Sequence, residues 1–249
     1  MRICVYEDAK DLGLHAAEVG AKRIRQALQK QSDVSIILAT GASQFTMLEA
    51  LLQAPDIDWG RVEIFHLDEY VGLDISHPAS FRKYLKERVA NKLPALKAFH
   101  YINADEKDLD AEVKRVSQLI AKRKVAVAFI GIGENGHLAF NDPPANVETK
   151  DPYLVVELDT ACRKQQVGEG WFPSVDAVPT HAVTMSIQQI LKSECIVCTV
   201  PDERKAPAVK MAVTAPIEAL YPCAYLRTHD DCYLMVDMPA AADILPEAK

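Results

Sequence analysis

A single α/β domain spanning residues 1–249, a mostly parallel sheet flanked by helices on both faces in a modified Rossmann-like arrangement, is predicted by three observations. Short β-branched runs alternate with helical stretches along the whole chain. The helical stretches place apolar residues at near-helical spacing, so each can cover a face of the sheet. No internal repeat, low-complexity tract or long linker divides the chain, and the Pro-containing segments at 141–153 and 171–180 are too short to separate two domains.

The elements follow in order. Strands are expected near 2–6, 34–39, 62–67, 125–130, 154–158, 182–186, 194–200 and 232–237. The first long helix, about Lys10 to Lys30, carries Leu14, Val19, Ile24 and Leu28 at near-helical spacing, with Arg23, Arg25 and Lys30 turned outward. Further helices are expected near 43–54, 81–93, 107–122 and 203–213, each able to cover part of a sheet face.

Composition narrows the function. A 49% hydrophobic and 25% charged chain is ordinary for a globular protein with a real core. No apolar run reaches the length of a membrane span, and the start Met1-Arg2-Ile3-Cys4-Val5-Tyr6-Glu7 reads as a strand, so neither membrane insertion nor secretion is expected and the cytoplasm is. The net charge of −7 argues against a nucleic-acid surface while leaving room for a local basic pocket that takes an anionic metabolite. Six scattered cysteines fit reduced thiols, and the pair Cys195 and Cys198 lies in what reads as a buried strand, not a redox or metal motif.

Ligands of an open parallel sheet collect beyond the carboxyl ends of its strands, and three such ends carry unusual chemistry. After Ser35-Ile36-Ile37-Leu38-Ala39 comes Thr40-Gly41-Ala42-Ser43, a turn that opens a helix and offers two hydroxyls and unpaired N–H groups to a phosphate; a plain helix cap at Ser43 is the other reading. After Val62-Glu63-Ile64-Phe65-His66-Leu67 come Asp68 and Glu69. There Asp68 could be a general base for a proton on carbon next to a carbonyl, or a cap with Glu69 in solvent. After Phe129-Ile130 comes Gly131-Ile132-Gly133-Glu134-Asn135-Gly136-His137-Leu138-Ala139-Phe140-Asn141-Asp142. Its glycines miss the dinucleotide spacing by one residue and no Lys-Ser/Thr follows, so nucleotide binding is not supported. His137, with Asn135 and Asp142 nearby, supplies a proton-transferring imidazole.

Together with His77-Pro78, Ser80-Phe81, Val178-Pro179-Thr180-His181-Ala182-Val183-Thr184-Met185 and Glu203-Arg204-Lys205-Ala206, these ordered motifs resemble the glucosamine-6-phosphate deaminase (isomerase) family over nearly the whole chain. The resemblance implies an aldose–ketose isomerisation coupled to deamination, glucosamine 6-phosphate and water giving fructose 6-phosphate and ammonia, with no metal and no cofactor. It implies Asp68 as the base that moves the C2 proton to C1, and His137 as the group that opens the sugar ring. Asn135 and Asp142 would hold the imidazole, Thr40, Gly41, Ala42 and Ser43 would form the phosphate loop, Lys205 would stand at the phosphate end, and Tyr70 would pack at the mouth.

The chain departs from the family pattern in three places. Asn135 is an amide and Asp142 is one methylene shorter than the usual Glu. Gly170 precedes Trp171-Phe172, where members usually place an arginine that grips the phosphate, leaving Arg163, Lys164 or Arg204 as substitutes, or a preferred substrate that carries a different group. Pro143-Pro144-Ala145-Asn146 lacks the paired serines of members regulated by an amino-sugar effector, so allosteric activation is not implied. A 6-phosphogluconolactonase-like hydrolase and a non-catalytic sugar-phosphate sensor are the alternatives; Asp68, His137 and the absence of a helix-turn-helix extension favour an enzyme. The expected partner is a small sugar phosphate, with no nucleic acid and no membrane, and a homo-oligomer is left open.

Overall fold

The computed structural model describes residues 1–245. Its main sheet has seven strands in the order β1 (Arg2–Tyr6), β10 (Cys232–Asp237), β9 (Ile196–Val200), β6 (Val125–Ile130), β2 (Val34–Leu38), β3 (Val62–His66) and β5 (Ala98–His100), and every neighbouring pair is parallel. Alternate residues of these strands enter two different cores, as the two-residue period of a pleated strand requires. Ile36, Leu38, Ile64, Val127, Phe129 and Val197 lie in one with Leu12, Ala16, Ile24, Leu48 and Leu85. Those partners come from α1 (Ala9–Leu28), α2 (Phe45–Gln53) and α3 (Phe81–Arg88). Ile37, Phe65, Ala128, Ile130 and Cys198 lie in the other, against Val116, Ile120, Ile187, Ile190, Ala208 and Val209. Here the cover is α4 (Leu109–Ala121), α6 (Ile187–Leu191) and α7 (Ala206–Thr214).

Several of the sequence expectations shift. The buried stripe of α1 runs through Leu12, Ala16, Ala17, Gly20, Ala21, Ile24, Ala27 and Leu28, while Leu14 is exposed, because small residues rather than large ones let this helix lie close to the sheet. The strands expected at 154–158 and 182–186 form β7 (Tyr153–Glu157) and β8 (His181–Met185) outside the parallel sheet. With β4 (Asp68–Tyr70), they make a three-stranded antiparallel sheet in the order β4-β8-β7. Neither β4 nor β5 was expected, since three residues leave too little pattern to read. The same holds for α6, and α5 (Thr160–Gly168) carries only a weakly apolar face. Cys195 and Cys198 belong to opposite cores, so they serve as small apolar residues.

Candidate active site

The chain passes from one sheet to the other at Asp68. Leu67 is the single residue between β3 and β4, and its carbonyl accepts from Met185 N at 2.7 Å while Asp68 pairs with Thr184 across β8. His66 secures the step. Ile102 N donates to its Nε2 at 2.9 Å, which places the ring proton on Nδ1, 3.0 Å from the Asp68 carbonyl. Burial drives the His66 pKa down to about 3, so this imidazole is a neutral strut.

Among the described residues no hydrogen bond or ion pair reaches the Asp68 carboxylate. Burial first, and the neighbouring Glu69 second, push its pKa up to about 8. The group therefore keeps its proton to a higher pH than an ordinary carboxyl does. Glu69 is not in solvent: it is fully buried and accepts from Ser80 Oγ at 2.8 Å and from the backbone N–H groups of Tyr70, Phe81 and Arg82, with Arg82 Nε 3.4 Å away. Adjacent acids therefore divide the work, Glu69 fastening the start of α3 and Asp68 remaining unbonded.

His137 sits in the loop after β6, and β8 holds that loop as well. Asn141 Nδ2 donates to the carbonyls of Leu138 at 2.7 Å and Met185 at 2.8 Å, and Phe140 N donates to Thr184 Oγ1 at 3.0 Å. Gly133 is required by contact, since a Cβ there would fall 2.1 Å from His137 Nε2. Asn135 Oδ1 accepts from His137 N and its Nδ2 donates to Asp142 Oδ1, both at 3.1 Å. Asp142 Oδ1 stands 3.0 Å from His137 Nδ1, close but out of line for a hydrogen bond. Burial raises the Asp142 carboxyl, yet His137 and Asn135 outweigh it and hold the group below the usual range. Asn135 acts on the carboxylate and the loop backbone, not on the imidazole ring.

One cleft of about 830 Å³ connects these groups. Asp68, His137, Thr40, Gly41, Ala42, Ser43 and Lys205 all line it, while Asn135 and Asp142 stand behind His137. Gly41 has φ 99° and ψ 168°, a conformation that a side chain resists, and it turns the chain into the short helical turn Ala42–Gln44 before α2. Ser43 does not cap α2; its Oγ accepts from Gln44 Nε2 at 3.1 Å. Gln44 is itself buried and donates to Thr199 Oγ1 at 2.8 Å, a positioning contact that no motif announced. Lys205 closes the turn before α7, and burial pulls its pKa down, which marks an ammonium held partly out of water without a bonded partner among the described residues.

Two expected placements need correction. The Arg163 guanidinium is absent from the cleft lining, and its Nη2 donates to the carbonyls of Val175 at 2.6 Å and Val178 at 3.2 Å. It ties α5 to the following segment instead of meeting a ligand or forming a solvated face. Tyr70 is not at the mouth: it is fully buried among Phe81, Phe140 and Phe172, its hydroxyl donating to Gln166 Oε1 at 2.8 Å. Lys164 is exposed on α5. Arg204 lines the cleft, bound to Asp202 at 3.0 Å and facing Glu134 at 3.8 Å. Among the lining residues that the motifs did not mark is Glu169, next to the Gly170 departure, which accepts from Gln165 Nε2 at 2.8 Å and Trp171 Nε1 at 3.2 Å.

Known proteins resemble this chain in sequence and fold. The glucosamine-6-phosphate deaminase of Streptococcus equi subsp. equi (strain 4047) is 30% identical over 231 residues, covering 93% of this chain and 96% of that protein. That of Exiguobacterium sp. (strain ATCC BAA-1283 / AT1b) is 31% identical over 242 residues, covering 97% and 91%. Among solved structures, a monomeric glucosamine-6-phosphate deaminase of the NagB superfamily superposes with a TM-score of 0.86 at 28% identity, covering 98% of this chain and 100% of that one. The 6-phosphogluconolactonase of Trypanosoma brucei reaches a TM-score of 0.78 at 14% identity, covering 98% of each chain, a likeness of fold alone. The family described as glucosamine-6-phosphate isomerases/6-phosphogluconolactonase matches residues 7–234, and with a sheet, a cleft and relatives that agree over nearly its full length, the chain belongs to that family.

Proposed function

We propose that this chain converts glucosamine 6-phosphate and water to fructose 6-phosphate and ammonia. The observation that carries the reading is the unbonded, buried carboxylate of Asp68 on the same cleft as His137, with a hydroxyl-bearing turn and a half-buried ammonium also on its wall.

The phosphate binds at Thr40–Ser43, where hydroxyls and N–H groups of a helix entry face an anion, and Lys205 supplies the compact positive charge. His137 opens the sugar by moving a proton to the ring oxygen. Asp68 then takes the C2 proton and returns it to C1, which moves the double bond from C1=O to C2=N through an enolamine intermediate and leaves an imine at C2. Water adds at C2 and ammonia leaves. A carboxylate pushed up to about 8 suits this transfer, since a base of ordinary carboxylate strength removes a carbon-bound proton poorly.

Purified protein incubated with glucosamine 6-phosphate should release ammonia and form fructose 6-phosphate, while 6-phosphogluconolactone should disappear no faster than it does without protein. Lactone hydrolysis without ammonia release would replace this reading with that of an esterase, and tight binding of both compounds without turnover would replace it with that of a sensor.

A further inference from the structure

Behind His137 lie three side chains of the kinds that hold zinc. His137, Asp142 and Cys162 bring one nitrogen, oxygen or sulfur ligand atom apiece within 4.8 Å of one another. Their burial is deep: the side chains of His137 and Asp142 are 10% and 8% exposed and Cys162 is 1% exposed.

A second observation is independent of that spacing. His137 Nδ1 and Asp142 Oδ2 are buried and have no hydrogen-bond partner. Buried polar atoms are nearly always bonded, yet Asp142 Oδ1, 3.0 Å from His137 Nδ1, is out of line for a bond, and Asp142 Oδ2 has no hydrogen-bond partner. Asp142 Oδ1 is already engaged by Asn135, so the free oxygen is the one available to a ligand. Cys162 is placed by its own element, its N–H bound to Asp159 at the start of α5.

We propose that His137 Nδ1, Asp142 Oδ2 and Cys162 Sγ form a binding site for a borderline-soft divalent cation, of which Zn²⁺ is the type, and that the ion switches the enzyme off. A tetrahedral zinc ion with bonds of ~2.0–2.3 Å sets its ligand atoms about 3.5 Å apart, within reach by small side-chain rotations from the arrangement found. Of the three ligands only His137 also lines the cleft, so the ion and the water in its fourth position would enter past that ring. On binding, the thiol proton of Cys162 passes to water, the sulfur becomes a thiolate ligand, and no electron changes hands. An imidazole that gives the Nδ1 lone pair to the metal is locked with its remaining proton on Nε2 and can no longer shuttle. The binding step stands on geometry alone; the inhibition rests on the role proposed for His137.

The test uses the full chain and ZnCl₂ as the probe. Calorimetry without substrate should find one Zn²⁺ bound per chain, and CoCl₂ should produce the near-ultraviolet charge-transfer band of a cobalt thiolate. Cys162→Ser should weaken zinc binding at least tenfold and abolish the band, while kcat without metal stays within twofold of the parent. Zinc should inhibit the parent reversibly, with recovery on chelation, and should spare the variant. Cys162→Ala provides the same comparison should the serine hydroxyl disturb folding, and a thermal melt of each variant confirms that it is folded. Equal zinc affinity in folded parent and variant, or no binding by the parent, overturns the site. Binding with unchanged ammonia release overturns the inhibition alone, and binding by a protein inactive toward glucosamine 6-phosphate overturns the substrate reading while leaving the site intact.

Discussion

Asp68 and Glu69 show how much one residue's surroundings decide. Both are buried carboxylic acids on one short strand, yet Glu69 collects hydrogen bonds and Asp68 has none on its side chain. Three expectations follow at this scale. First, kcat/KM should rise with pH and level off above about 8, because the free enzyme's base must lose its proton; a profile flat between pH 6 and 9 would remove Asp68 from that role. Second, Asp68→Asn should lower kcat by about 10²- to 10⁴-fold or more, with substrate still bound in a calorimetric titration. Since the folded-state pKa lies above that of the unfolded chain, ionised Asp68 opposes folding: its contribution is favourable below about pH 4 and is lost as pH rises through about 8. The same variant should therefore melt several degrees higher than the parent at pH 9 and almost equally at pH 4. Third, Glu169→Gln should lower KM for the phosphorylated substrate with little change in kcat, because Glu169 opposes Lys205 across the cleft that must take a dianion. The sequence pointed to Asp68 and His137 through their places after strands, but not to Glu169, whose relevance depends on the C-terminal end of α5 reaching the cleft. Nor could it show that Arg163 is taken up by two carbonyls.

At the scale of elements, β8 decides the site. It pairs with β4 beside Asp68, and through Thr184 and Met185 it also bonds the loop that bears His137, so one strand fixes base and imidazole together. Thr184→Val keeps the shape but leaves Phe140 N without its acceptor, which should cost about 1–3 kcal/mol of stability in denaturant melts. It should lower kcat more than it raises KM, because the phosphate end is held by other elements. Parallel strands such as β6 were legible because both faces are buried and the run is wholly apolar. The small sheet was not, since β7 is buried at Tyr153 and then alternates between half-covered and exposed, and β4 is only three residues long.

Across the whole molecule, stability resides in the two cores on either face of the parallel sheet, one of which reaches the cleft wall at Ala39, Leu67 and Ile132. Ile24→Ala, at a fully buried position on α1, should destabilise by about 2–5 kcal/mol in a denaturant titration while leaving kcat at 20 °C near the parent value. The layered α/β plan was readable from rhythm and apolar runs alone, whereas strand order was not, because that order is set by contacts between residues far apart in the chain.

The neighbour of β1 on its paired side is β10, and β10 also separates β1 from β9. A ribosome making this chain therefore delivers the first strand more than two hundred residues before its hydrogen-bonding mate exists. Until β10 is made, β1 has no strand to pair with and β9 presents an open edge, so this side of the sheet is assembled only after residue 237 has been added.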